Sequence, residues 1–161
     1  MAAVLALLTP LSASAATTTT SRPAVPFDPK AVVAAVRSAA SFPATRVAAR
    51  VGTPSCPSAI KPTVGLTFQC LVPFDATPVA FLVTIGLGGS LDIRPTFPVV
   101  SLASARLLAG GGTGGAVCDS AKAKFVVLPI GALLACTLRA APTATVTLRV
   151  SDRFGTLQRV P

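Results

Sequence analysis

Residues 65–91 read GLTFQCLVPFDATPVAFLVTIGLGGSL, and residues 131–157 read GALLACTLRAAPTATVTLRVSDRFGTL. Laid over each other without a gap, they match at Gly65/Gly131, Cys70/Cys136, Thr77/Thr143, Leu82/Leu148, Gly89/Gly155 and Leu91/Leu157. These matches fall on a cysteine, on two glycines and on spaced apolar positions, where a shared backbone needs them. Upstream, Lys61-Pro62 and Leu128-Pro129 correspond one residue out of register. Each copy runs cysteine, proline, glycine, cysteine, alternating segment, glycine turn, alternating segment. The chain therefore reads as two related modules, residues 28–97 and residues 98–161, the second a degenerate copy of the first.

Outward from the repeat, the elements follow. In the first copy, residues 66–72 and 79–87 read as strands joined by the turn-forming Pro73-Phe74-Asp75-Ala76-Thr77. Gly88-Gly89 then turns the chain into a short strand at residues 91–93. Ahead of the sheet, Asp28-Pro29 is a helix N-cap followed by proline at the first helical position. Ala31, Val32, Ala35, Val36 and Ala39 form a stripe of helical period. Phe42-Pro43 is the expected stop, and residues 45–51 the expected strand leading to Cys56. In the second copy a helix is expected over residues 101–108, stopped by Gly110-Gly111-Gly112. Strands are expected at 132–138, 145–150 and 156–160, and Thr145 to Val150 alternates strictly, with one face buried and one wet. The second copy shows no counterpart of residues 45–51; the tract 110–115 stands there and reads as a flexible connection. The fold class is α+β: two tandem repeats, each a helix packed on a small antiparallel meander with one disulfide.

Cys56, Cys70, Cys118 and Cys136 are the only cysteines. One pair per repeat points to Cys56–Cys70 and Cys118–Cys136, each closing a short loop across turn residues (Pro57, Pro62 and Gly65; Pro129 and Gly131). Modules of this size have thin cores, and a staple of about 3 kcal/mol is a large share of their stability. A zinc site is disfavoured, since the spacing has no C-x-x-C knuckle and the chain has no histidine. Residues 1–15, MAAVLALLTPLSASA, resemble a signal peptide, with a cleavage site after Ala13-Ser14-Ala15. Residues 16–27 read as a flexible lead-in. Export would place the cysteines in an oxidising compartment. No apolar run reaches the length of a spanning helix.

Composition narrows the function classes. The formal net charge is +9, and the only acids are Asp28, Asp75, Asp92, Asp119 and Asp152. The cations are spread along the chain rather than clustered, and Tyr and Trp are absent, which argues against a nucleic-acid reader. Without histidine there is no Ser-His-Asp or Cys-His arrangement. Ser58-Ala59-Ile60-Lys61 fits the S-x-x-K pattern of penicillin-recognising acylases, but the S-D-N and K-T-G elements those enzymes need are missing. Ser120-Ala121-Lys122 is a weaker match still. The glycine-rich stretches lack the Lys-Ser/Thr of a phosphate loop. No catalytic, cofactor-binding or metal-ligating residue is expected.

Ser55-Cys56-Pro57, Gly65, Phe68 and Cys70, behind an amphipathic helix and ahead of V-A-F-L-V-T-I, resemble the signature of a small actinobacterial domain family of unknown function. Its members are exported proteins or lipoproteins, with Ser-Cys-Pro…Val-Gly-x-x-Phe-x-Cys-x-Val as their motif. The resemblance covers residues 28–97 and implies export, a disulfide and a helix-plus-sheet unit; it carries over no functional residue. In the second copy Asp119 follows Cys118 where the motif has proline, and Leu134 replaces the phenylalanine. A looser, architectural resemblance is to secreted β-lactamase inhibitory proteins, also tandem helix-plus-sheet repeats with one disulfide each. The expected function is a secreted, non-catalytic binding module associated with the cell envelope, its partner an anionic envelope polymer or an extracellular protein. The alternative is a protein inhibitor of a secreted enzyme. An ordered apolar surface centred on Phe74, Phe97 or Phe125 would point to the inhibitor, a diffuse basic face to the polymer.

Overall fold

The computed structural model describes residues 27–110, 115–119 and 122–161. The signal-peptide segment, the lead-in up to residue 26, most of the glycine tract and Ser120-Ala121 lie outside the described residues. The fold is α+β, with helices packed on small antiparallel sheets and two disulfides, consistent with two repeat-like modules. Among the described residues no helix is long and apolar enough to cross a membrane.

The first module opens on α1 (Pro29–Arg46). Asp28 caps it by accepting from the Lys30 amide at 2.9 Å, satisfying one of the donors a helix start leaves free. Val32, Val36, Ala40 and Ala44 recur at every fourth position and are buried. That stripe corrects two expectations, the stop at Phe42-Pro43 and the strand over residues 45–51. Pro43 lacks the N–H that would reach back one turn, yet burial of Ala44 and Val47 carries the helix through it to Arg46. The turn at Val47 to Ala49 then hydrogen-bonds back to the carbonyls of Ala44 and Thr45, with Ala48 at φ 53°. Of residues 45–51 only Val51 reaches the sheet, in an isolated bridge to Phe74.

The first sheet is β1 (Thr67–Phe74), β2 (Thr77–Ile85) and β3 (Leu91–Pro95), antiparallel and in that order. A single 3₁₀ turn over Leu87–Gly89 joins the last two strands. Alternate residues Cys70, Val72 and Phe74 on β1, and Val79, Phe81 and Val83 on β2, face α1 and form the first core. The second module has β4 (Val99–Ser101), α2 (Leu102–Gly110), β5 (Ala116–Cys118), β6 (Phe125–Val127), β7 (Leu133–Leu138), β8 (Thr145–Val150) and β9 (Leu157–Arg159). Its main sheet runs β5-β7-β8-β9, and Leu102, Ala105 and Ala109 of α2 pack on Leu134, Cys136, Val146 and Leu148. Sequence reasoning left β4, β5 and β6 unassigned. β5 lies beside β7 as Ser55 lies beside β1, so its counterpart in the first copy is the stretch around Ser55-Cys56 rather than residues 45–51.

The disulfides are Cys56–Cys70 and Cys118–Cys136. Each joins residues directly opposite on neighbouring antiparallel segments: Cys118 faces Cys136 in the β5–β7 register, and Cys56 follows Ser55, which exchanges both backbone hydrogen bonds with Leu71. Both fall at the close, non-hydrogen-bonded pair, where opposed side chains come nearest.

The gapless sequence match slips by one residue after the first strand of each hairpin. Cys70 is paired with Phe81, but Cys136 with Val146, so the second hairpin is one residue shorter. Leu148 is therefore the counterpart of Val83, and both are fully buried. Leu82 instead lies on the outer face opposite Gln69. The Thr77/Thr143 and Leu82/Leu148 identities are not structural equivalents, because a one-residue shift moves a side chain to the other face. The next loop is one residue longer, so Ile85 pairs with Leu91 and Val150 with Leu157, and the Leu91/Leu157 match is restored.

β6 pairs with β4 in a two-stranded sheet of its own and forms a wall shared by the two cores. Phe125 and Val127 pack against the first core, to which β4 adds Val99, while Val126 packs against the second. A second tie lies at its start. Lys124 Nζ donates to Asp75 Oδ2 at 2.8 Å and to the Ala48 carbonyl at 3.2 Å, and Asp75 Oδ1 accepts the Arg50 amide at 3.0 Å. The Lys124 hydrogen bond, followed by that from Arg50, holds the Asp75 carboxyl below its ordinary value. A depressed carboxyl stabilises the fold fully above the unfolded aspartate value of about 3.9 and loses that contribution as pH falls through the lower folded value. Melting temperature should therefore fall on acidification below about pH 4, and less steeply in Asp75→Asn; parallel curves for the two proteins would remove Asp75 as a contributor.

Candidate functional site

Between the modules runs an open groove of about 680 Å³. The C-terminal half of α1 forms one wall, with Ala39, Phe42, Pro43 and Arg46. Burial of the Val36-Ala40-Ala44 stripe leaves Phe42 pointing away from the core, 64% exposed. β3 and the segment after it supply Asp92, Ile93, Arg94, Pro95, Thr96 and Phe97. Two turns of the second module close the far side, one with Pro129 and Ile130, the other with Arg153 and Phe154.

The second of these turns is built by Asp152, whose Oδ1 accepts the amides of Phe154 (2.9 Å) and Thr156 (3.0 Å). A side-chain hydrogen bond from Thr156, then the backbone bond from the same residue, keeps the Asp152 carboxyl below its ordinary value. The turn holds Arg153 and Phe154 outward. Arg46 reaches across the modules and donates from Nη1 to the Phe154 carbonyl. The Arg46 guanidinium carbon lies 6.0 Å from the Phe42 ring centroid, and that of Arg153 lies 4.9 Å from the Phe154 ring. Phe42, Arg46, Phe154 and Arg153 thus form a continuous rim of alternating rings and cations, each guanidinium favoured by the face of a ring. A smaller cavity of about 280 Å³ continues the groove past Arg46 and Val99 toward α2.

Four large apolar side chains remain in water around this groove: Phe42, Ile130 at 59%, Phe154 at 50% and Phe97 at 48% exposed. Among the described residues Asp92 is the only carboxylate in the lining, beside three arginines. Among the described residues no cluster of three or more His, Cys, Asp or Glu side chains forms a metal cage. The chemistry on offer is apolar contact plus charge.

Of the three phenylalanines that sequence marked as the centre of an apolar surface, only Phe97 lies in the groove. Phe74 is fully buried and Phe125 packs beside it. Ser58 and Lys61 are exposed on the segment between the disulfide cysteines and line none of the cavities described here. Sequence reasoning missed Phe42, Ile130, Phe154 and the arginines beside them. The available signal was a large apolar residue in a turn sequence, Pro129-Ile130-Gly131 and Asp152-Arg153-Phe154-Gly155, where a strand face cannot bury it. No protein-family model, curated protein or solved structure matches the chain.

Proposed function

We propose that this chain is an exported, non-catalytic binding protein whose ligand surface is the groove between its modules. The observation that carries the reading is the exposure of Phe42, Phe97, Ile130 and Phe154 around one cleft, because contiguous apolar surface held open by ordered turns marks an interaction site. The signal-like residues 1–15, the two disulfides and the resemblance of residues 55–70 to exported actinobacterial domains support export, and the net charge of +9 supports association with an anionic cell envelope. The alternative, an inhibitor of a secreted enzyme, gains from one observation: Phe97 lies in the groove, half exposed, between two ordered modules.

One experiment addresses both halves of the proposal. Expressed in an actinobacterial host with a photo-reactive amino acid at position 97, the protein should be recovered outside the cell, beginning near Ala16. It should form a crosslinked adduct, whereas the same label at Leu71, exposed on the outer face of the first sheet, should form none. Recovery inside the cell with residues 1–15 retained would overturn export. Equal labelling from both positions, or from neither, would overturn the groove.

A further inference from the structure

The free edge of the first sheet borders the groove. Among the described residues β3 is hydrogen-bonded only to β2, and Thr96 N donates to the Ala80 carbonyl at one end while Gly86 N donates to the Ser90 carbonyl at the other. With the register Leu82↔Arg94, Val83↔Ile93 and Thr84↔Asp92, antiparallel alternation turns the amides and carbonyls of Asp92 and Arg94 toward β2. Those of Ile93 point outward, beside the groove. Pro95 has no N–H and ends the edge there. Open strand edges are templates for an added strand.

We infer that the groove receives an extended, acidic polypeptide segment of a partner protein, laid along β3 with its carboxylates against Arg46, Arg94 and Arg153. The inference rests on the reading of the groove as the ligand surface and adds the class of ligand. Charge complementarity gives the sign: among the described residues three arginines face the groove and Asp92 is its only acid. The apolar residues decide between a protein and a polyanion. A polyphosphate chain would satisfy the arginines but brings no apolar surface to the exposed rings of Phe42, Phe97 and Phe154, and it has no N–H to give the Ile93 carbonyl. A peptide alternating acidic and apolar residues meets all three demands at once. Main-chain pairing supplies affinity, and its side chains read the rim on either side. A second copy of this chain, itself basic, lacks the complementary charge.

The test uses fluorescent peptides and the full chain. A short peptide alternating Glu with Leu or Phe should bind and weaken as salt is raised, since its ion pairs are rim-exposed and screened. The same peptide with Lys for Glu, and an all-Glu peptide, should each bind at least about tenfold more weakly. Arg94→Glu with Arg153→Glu should reduce binding of the alternating peptide by about tenfold or more while leaving thermal unfolding unchanged. Both arginines are exposed. Binding that ignores these substitutions overturns the inference, as does polyphosphate that displaces the peptide at equal charge concentration. If no peptide binds while the position-97 adduct persists, the ligand class is wrong and the groove stands; loss of the adduct as well would remove both.

Discussion

Phe125→Ala should lower stability by about 3 kcal/mol and unfold both modules in a single transition, although the ring is contributed by the second module to the first core. Phe125 packs edge-on against Phe74 with centroids 5.8 Å apart, and Phe74 in turn lies 6.1 Å from Phe81. Truncation removes the outermost ring of this cluster, forfeiting its buried area and an aromatic pair contributing about 1 kcal/mol beyond area. The estimate sits at the lower end for Phe→Ala because Phe125 is only partly buried. For a chain of this size it corresponds to a fall of roughly 10 °C in melting temperature. The coupling comes from β6 itself, since Phe125 and Val127 face one core while Val126 faces the other. A strand that leaves one core cannot remain seated in the other. Hydrogen exchange read by mass spectrometry should show β1–β2 and β7–β8 losing protection at the same denaturant concentration in both proteins. Two separate transitions, or loss of protection confined to the first module, would show that β6 does not join the cores.

Gly155→Ala should be at least as damaging, by about 3 kcal/mol or more. Gly155 has φ +77°, and a Cβ there would lie 2.5 Å from the Val99 carbonyl oxygen, 3.1 Å from its carbon and 3.4 Å from the Val100 Cα. The left-handed backbone alone costs an alanine about 1 kcal/mol or a little more. The larger cost is the clash, because the atoms met are the backbone of β4, which is paired to β6 and carries the buried Val99 and Val100. Relief requires the 152–155 turn to lift from β4. That same turn holds Phe154 and Arg153 at the groove and accepts the Arg46 guanidinium, so ligand binding should fall with stability. Gly88→Ala is the control: φ is +66°, but nothing lies within 4 Å of the added carbon, so the expected loss is only about 1 kcal/mol. Equal losses for the two variants, measured by denaturant melts, would show that strain rather than the β4 contact sets the cost.

The groove was far less legible than the fold. Nothing local separates Phe74, which is core, and Phe125, which packs against it, from Phe97 and Phe154, which stand half exposed: each is a phenylalanine near proline, glycine or a short apolar run. Which of them is buried depends on whether the other module brings a partner. Phe42 was readable only as part of a helix stop, and it became a groove wall because the helix continues through Pro43. The three short strands β4, β5 and β6 escaped for a related reason, since a three-residue strand is too brief for its alternation to stand out from a loop.

By itself the sequence determined the α+β class, the two-copy order and the main hairpins, because those depend on short-range patterns: a capped stripe of helical period, alternation of period two, glycines at turns, and cysteines recurring at one place in a repeat. Tertiary structure alone decided the rest. The one-residue slip between the hairpins, with Leu82 outside and Leu148 inside, is invisible in a gapless match and is set by which face each sheet buries. The division of β6 between two cores, the Lys124–Asp75 tie and the Arg46–Phe154 hydrogen bond that joins the two halves of the groove rim all link residues far apart in the chain. Their energies arise only once the two modules are packed together, so no local pattern in either module encodes them.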